Sequence, residues 1–259
     1  MTNNNKPKVI LLVAGEGKRL RPFTLDRPKC MVEVDGISLI DRQLSILKSA
    51  DLDNIVMIGG YKSHMLNIKE ITLKKNPRYY ETNMLWTLFS AEEELDQEVI
   101  ISYGDIVYSQ ENLQALLNSE ADISTTIDKN WEEYWRERND NPLDDAETLK
   151  LREDGSISEI GQKPQSLNEI EGQYMGLMKF SIEGVMQLRE MFHRAKKDES
   201  ILGKPLENAY MTDILQALIK EGKMIFGVPV YGGWIEVDTV SDLRSPYLIK
   251  RLNSFSMKK

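Results

Sequence analysis

Residues 9–24 read VILLVAGEGKRLRPFT, an apolar run that breaks into a glycine-rich, cationic turn. Val9 to Val13, bounded by Pro7 and Gly15, predicts a short buried strand. Gly15 and Gly17 then let the backbone turn sharply and bring its N–H groups against an anion with no Cβ in the way. From Glu16 to Lys29 five cations (Lys18, Arg19, Arg21, Arg27, Lys29) stand against two acids (Glu16, Asp26), a local charge of +3 in a chain of −8. Pro22 and Pro28 limit the freedom of this segment. Placed directly after a strand, the turn is predicted to cradle a polyphosphate, with the Arg19 fork and the Lys29 point charge on non-equivalent oxygens. A solvated surface loop is the competing reading. The third glycine of the dinucleotide fingerprint is missing, which speaks against a Rossmann oxidoreductase, and there is no Gly-Lys-Ser/Thr of a Walker A loop.

Outward from this stretch, buried strands alternate with amphipathic helices. Asn54 to Ile58, halted by Gly59-Gly60, and Glu98 to Tyr103 read as strands. Ser38 to Ala50 reads as a helix with Ile40, Leu44 and Leu47 on one face and Ser38 as N-cap. Met84 to Leu95 reads as a second helix. In the later half, Thr148 to Arg152 and Ile157 to Ile160 flank Asp154-Gly155, a hairpin signal. Gln173 to Phe180, Met224 to Tyr231 and Trp234 to Val237 read as strands; Glu183 to Lys197, Tyr210 to Glu221 and Ser241 to Arg251 read as helices. The pattern predicts an α/β fold of one domain over 1–259, with a mixed, mainly parallel central sheet flanked by helices. Residues 1–8 are expected to be flexible, and 128–180 to form an acceptor-side insertion of the same domain. Ligands in such sheets sit beyond the carboxyl ends of the strands.

Composition narrows the function. The chain has 259 residues, 41% of them hydrophobic and 29% charged, enough for a full core. A single cysteine, Cys30, excludes an internal disulfide. No apolar run approaches a membrane span and no signal peptide is evident, so a cytoplasmic protein is expected. An acidic total argues against a general nucleic-acid binder. His64 and His193, far apart, do not suggest a zinc site.

The run G-x-G-x-R-L-x-P-x-T at 15–24, followed by Pro28-Lys29 and VDGISLID at 34–41, resembles the opening of the nucleotidyltransferases that activate phosphorylated small molecules. The resemblance implies a Rossmann-like nucleotidyltransferase fold in which the glycine loop holds a triphosphate. Leu12, Ala14, Gly15, Glu16, Gly17 and Lys18 are then nucleotide-binding, and Arg19 and Lys29 act on phosphates at the reacting centre.

Two acidic sites follow. Asp105, in YGDIVY (103–108), stands just after a strand and next to Gly104, a further nucleotide contact. It matches the family's first Mg²⁺ ligand, though an aspartate there is often only a turn residue or cap. In GGWIEVDTVSDL (232–243), Glu236 and Asp238 lie two apart and point to one face. Two such acids repel unless a cation sits between them or water covers them. This stretch resembles the family's late Trp-x-acid motif in its Glu-x-Asp version, which leaves open which acid is the second metal ligand. An edge strand with a solvent face is the competing reading.

IGQKP (160–164) resembles the acceptor motif, with Lys163 on the acceptor phosphate and Gln162 in place of a glutamate that commonly contacts sugars. EGQYMGLMKF (171–180) resembles the strand flooring the acceptor pocket, where Tyr174 and Gly176 would lie. In DKNWEEYWRERNDNPLDDAETL (128–149), Trp131, Tyr134 and Trp135 either face an amino-bearing acceptor or form the buried stripe of a short helix. That segment and YYETNMLWTLFSA (79–91) resemble a small cytidylyltransferase branch, which includes enzymes of phosphocholine, phosphoglutamine and aminoalkylphosphonates. Asn83 and Met84 would then lie near the nucleobase; alternatively Asn83 is simply a helix N-cap. The expectation is CMP transfer from CTP to a small phosphate- or phosphonate-bearing metabolite, with Mg²⁺ and with homo-oligomers possible. The alternatives are a sugar-1-phosphate uridylyl- or thymidylyltransferase and a non-catalytic nucleotide-binding regulatory subunit.

Overall fold

The computed structural model describes residues 6–255. The opening strand is Lys8–Val13 (β1), buried along its length. Its alternation sends Val9, Leu11 and Val13 into one apolar core and Ile10 and Leu12 into another on the opposite face. A strand buried on both faces has no polar face to show, hence its continuous apolar sequence.

Six strands join it: Ile55–Gly59 (β2), Thr72–Lys75 (β3), Val99–Tyr103 (β4), Ile123–Asp128 (β5), Gln173–Phe180 (β6) and Phe226–Val230 (β7). They lie in the order β7-β5-β6-β4-β1-β2-β3. Every pairing is parallel except those of β6, which runs against both β4 and β5. The expected mixed, mainly parallel sheet is present. Because β6 lies inside it, the 128–180 segment ends in a strand of the central sheet rather than remaining an insertion throughout.

Helices Met84–Phe89 (α2), Ile182–Lys197 (α5) and Met211–Lys220 (α6) cover one face. Leu39–Ser49 (α1), Gln110–Leu117 (α3) and Trp131–Arg138 (α4) cover the other. Ser38 caps α1 as expected, its Oγ accepting from Asp41 N at 3.1 Å. Two helices are shorter than their periodicity implied. The predicted helix to Leu95 stops at Phe89, and Glu92–Glu94 is a separate turn. The predicted Ser241–Arg251 helix is split into Val240–Arg244 (α7) and Pro246–Phe255 (α8). Pro246 holds Ser245 extended and itself opens the second piece.

Of the N-terminal residues expected to be flexible, 1–5 lie outside the described ones. Lys8 is buried in β1, its Nζ 3.0 Å from Glu94 and 2.6 Å from Asp96.

The common direction of β1, β2, β4, β5 and β7 gathers their carboxyl ends on one rim, and the reversed β6 contributes its first residues to the same rim. The loops after β1 and β4, Asp128 at the end of β5 and the turn after β7 therefore meet. Beyond β7, Trp234–Glu236 pairs antiparallel with Ile106–Tyr108, Glu236 opposite Ile106. A third small core of Leu20, Val107, Ile235, Val237, Leu248 and Leu252 lies beneath this ribbon. Fully buried Asp128 accepts from Gly232 N and Trp234 Nε1, both at 2.8 Å. Arg251 of α8 stands 3.2 Å from Asp128 and donates to Trp234 O at 2.9 Å. Thus α8 ties the ribbon to the sheet.

Candidate active site

The ribbon explains why acids far apart in the chain meet. Asp105 enters it one residue before Ile106, and Val237 N donates to Asp105 O at 3.0 Å. Carboxylate oxygens of Asp105, Glu236 and Asp238 all lie within 4.8 Å of one another. At an effective dielectric near 20, two unit charges ~4 Å apart interact by about 4 kcal/mol, so such a trio needs counter-charge. Lys29 stands 2.5 Å from Asp105 and also against Asp238. Arg19 reaches Asp238 at 3.3 Å. Arg138 reaches Glu236 at 2.6 Å and Asp238 at 3.6 Å.

The glycine loop is shaped to bring Lys29 there. Gly17 has φ +65°, and a Cβ on it would fall 3.1 Å from both Lys29 Cβ and the Thr24 methyl. Thr24 Oγ1 donates to Gly17 O at 2.8 Å, while Leu20 anchors the loop in the third core. The spaced glycine, leucine and threonine of the opening motif thus each hold the loop by a separate contact.

Electrostatics follow from burial and pairing. Burial alone would lower the Lys29 amine, but Asp105 and Asp238 outweigh it and hold the amine above its ordinary value. Burial would likewise raise Asp238, yet the charge and hydrogen bond of Lys29, helped by Arg19 and Arg138, keep it below the usual carboxylate range. Glu236 goes the other way: burial, then the charge of Asp238, push it up to about 8 against the pull of Arg138. Asp105 Oδ1 is buried without a hydrogen-bond partner among the described residues, an oxygen open to a cation.

A cavity of about 160 Å³ beside this cluster is lined by Leu12, Ala14, Gly15, Asn83, Met84, Gly104 and Asp105. It opens into a wider cleft bounded by Glu16, Gly17, Lys18, Arg19, Lys29, Glu236 and Asp238. All the residues predicted for nucleotide and metal therefore line one continuous cleft. Tyr79, Thr82, Cys30 and Asn208 line it too and were not predicted. Tyr79 and Thr82 flank Asn83 in sequence, a usable signal. Asn208 carried none. Asn83 occupies the N-cap position of α2 but makes no capping bond; its Nδ2 donates instead to Asn208 O at 2.8 Å.

The acceptor-side residues divide. Tyr174 packs edge-on against Tyr103, a cleft-lining ring, with centroids 5.8 Å apart. Gly176 has φ +80°, and a Cβ there would lie 2.5 Å from Tyr103 Cδ2, so only glycine admits the ring. Lys163 is not brought to the cleft lining: its Nζ donates to Leu143 O and, at 2.8 Å, to Asp144 O. Trp131 requires a correction. It is 5% exposed, in the same core as Trp135 and Trp234, so α4 presents the buried stripe and not an open aromatic face. The residue of α4 that does reach the site is Arg138, which sequence reasoning passed over. The signal was present: paired acids on one face called for a cation.

Residues 9–143 match the family described as the MobA-like NTP transferase domain. The chain belongs to that family. It is also 40% identical over 245 residues to a CTP:phosphoglutamine cytidylyltransferase of Campylobacter jejuni, covering 90% of this chain and 96% of that one. A choline-phosphate cytidylyltransferase of Streptococcus pneumoniae is 33% identical over 105 residues, 39% of this chain and 46% of its own. Among solved structures, the inositol-1-phosphate CTP transferase from T. maritima shares the fold, with a TM-score of 0.73 and 19% identity over 96% of this chain and 98% of that one. The protein is a nucleotidyltransferase. No helix among the described residues is long and apolar enough to cross a membrane.

Proposed function

We propose that this transferase moves CMP from CTP to a small phosphate-bearing metabolite, releasing pyrophosphate, and that its acceptor is of the phosphoglutamine kind. The observation that carries the reading is the convergence of Lys29 and Arg19 on Asp105 and Asp238 at the mouth of the nucleotide cleft. The relative sharing 40% of its residues across nearly the whole chain supports CTP and phosphoglutamine.

The donor set fits Mg²⁺, which takes one or two protein carboxylates together with phosphate oxygens; Asp105 offers an unpaired oxygen, and Asp238 faces it. When bound there, the ion would neutralise polyphosphate charge and so ease departure of pyrophosphate. The chain's own groups do the rest. Backbone N–H groups of the Gly15–Gly17 turn bind phosphate oxygens. Arg19, exposed at the loop tip, closes over the triphosphate. Lys29, engaged by Asp105 and Asp238, the two residues that would hold the ion, offers its ammonium to the phosphates. Lys163 leaves the 143–144 carbonyls for the acceptor phosphate. An acceptor phosphate oxygen is already anionic near pH 7, so no protein base is needed. The difficulty is bringing two anions together, and catalysis is positioning plus charge neutralisation. A small nucleotide-dependent enzyme of this kind would work in the cytoplasm.

Pyrophosphate release should be measured with CTP, UTP, dTTP and ATP against phosphoglutamine, phosphocholine, 2-aminoethylphosphonate and glucose-1-phosphate, each with Mg²⁺. CTP with phosphoglutamine should give the highest kcat/KM. A preference for UTP or dTTP with glucose-1-phosphate would overturn the reading, as would CTP binding without release under any acceptor.

A further inference from the structure

Helix α1 buries an apolar stripe, yet one position of that stripe is polar. Ile40 and Leu47 lie in the core on this side of the sheet, and Gln43, between them at helical spacing, is fully buried. An amide shut away from water is costly unless its donors and its acceptor are met. Here they are. Gln43 Nε2 donates to Tyr103 O at 3.0 Å and to Ile106 O at 2.7 Å, and its Oε1 accepts from Ser102 Oγ at 3.0 Å. The two carbonyls admit only the nitrogen of the amide, and the buried Ser102 hydroxyl serves its oxygen. Those carbonyls flank Gly104 and Asp105, so one side chain spans the turn that presents the Asp105 carboxylate. Backbone contacts hold the rest of the turn. Gly104 N donates to Leu12 O and Val237 N to Asp105 O, both at 3.0 Å. A Cβ on Gly104 would fall 2.7 Å from Val13 Cγ1, so the turn sits hard against β1. Thus α1, β1 and the ribbon each grip it from a different side. The carboxylate itself meets Lys29 at Oδ2, while Oδ1 has no hydrogen-bond partner among the described residues. Where Oδ1 stands is therefore set by the backbone beneath it.

We propose that Gln43 is a positioning residue for the cation site: its amide locks the Tyr103–Ile106 turn and so holds the Asp105 carboxylate where the ion needs it. This rests on the metal role given to Asp105 under the proposed function. Mg²⁺ demands near-ideal octahedral geometry at about 2.0–2.1 Å, so a small displacement of a ligand is felt. An apolar side chain at position 43 would complete the buried stripe, but it would leave both carbonyls without this donor. The turn could then rotate and carry Asp105 with it.

The test reads two affinities. Mn²⁺ binding with CTP present is followed by the electron paramagnetic resonance of free Mn²⁺, against CTP alone; CTP binding without metal is measured in EDTA by calorimetry. Wild type is compared with Gln43→Met, Ser102→Ala, the pair of these, and Asp105→Asn. Gln43→Met, similar in shape but unable to donate, should weaken Mn²⁺ binding by about tenfold or more and lower kcat, with CTP affinity in EDTA within about twofold of wild type. Ser102→Ala should weaken Mn²⁺ binding by about threefold. Because the serine acts through Gln43, the pair should bind Mn²⁺ no more weakly than Gln43→Met alone. A residue that only supported the fold would lower the melting temperature and leave the Mn²⁺ affinity unchanged. Wild-type Mn²⁺ affinity in Gln43→Met overturns the proposal, as do equal losses in both affinities or additive losses in the pair. If Gln43→Met does not fold, Ser102→Ala decides: unchanged Mn²⁺ affinity there overturns it. Asp105→Asn binding Mn²⁺ as wild type does would remove the metal role and this one with it. The expected affinities without pyrophosphate release under any acceptor would sink the proposed function and leave the role of Gln43 standing.

Discussion

Lys29 Nζ stands 2.5 Å from Asp105 Oδ2, and the same nitrogen bridges to Asp238. A single ammonium thus bridges two carboxylates that lie far apart in the sequence. Replacing Lys29 with alanine should lower kcat by on the order of 10²–10³-fold, with the far-ultraviolet circular dichroism of the wild type retained. Near-normal turnover in that variant would remove Lys29 from the reacting centre.

Asp105 holds the ribbon through its main-chain oxygen, not its side chain. Asp105→Asn should therefore fold, yet lose Mg²⁺-dependent pyrophosphate release. A titration of activity against Mg²⁺ that overlays the wild type would clear Asp105 of a metal role.

Glu147 lies beside Thr212, Asp213 and Lys204; burial, then the charge of Asp213, raise it from 4.5 to about 7. The folded state thus holds this proton more tightly than the unfolded one. The contribution to stability is full at low pH and is lost as pH rises from about 4.5 to about 7, by up to about 3 kcal/mol. Glu147→Gln keeps the shape and removes the charge. Its melting temperature should exceed that of the wild type at pH 8, with the gap closing at pH 4.5. A gap that does not depend on pH would refute this.

Trp131 packs edge-on against Trp135, centroids 6.2 Å apart, in the core under α4. Trp131→Ala should cost about 3–5 kcal/mol of unfolding free energy in urea titration. Trp131→Phe should fold and leave the preference among acceptors where it was. A change in that preference would return Trp131 to the acceptor pocket.

The parts of the molecule that sequence made legible are those where one residue type admits one physical explanation. The doubly buried β1 had to be apolar throughout, the loop after it needed glycine at Gly17, and Ser38 and Asp154-Gly155 announced a cap and a turn. Asp105 was readable because it follows a strand end. Strand β5 was not legible: Ile123–Asp128 reads ISTTID, and its serine and threonines are buried inside a sheet, where polarity gives no alternation to detect. Strand β3, TLKK, is a partly exposed edge with the composition of a loop. Arg138 was hidden for another reason, since an arginine at the end of a charged helix usually faces water. Only the ribbon pairing of Glu236 with Ile106, which no local pattern encodes, reveals what lies opposite it.

The strap from Arg251 to Asp128 has a bearing on biosynthesis. During translation the glycine loop emerges early, whereas the ribbon that aligns Asp105 with Glu236 and Asp238 is pinned by Arg251, which is made after both of its strands. A growing polypeptide on the ribosome would therefore carry the glycine loop and Lys29 long before the acidic cluster around them is complete.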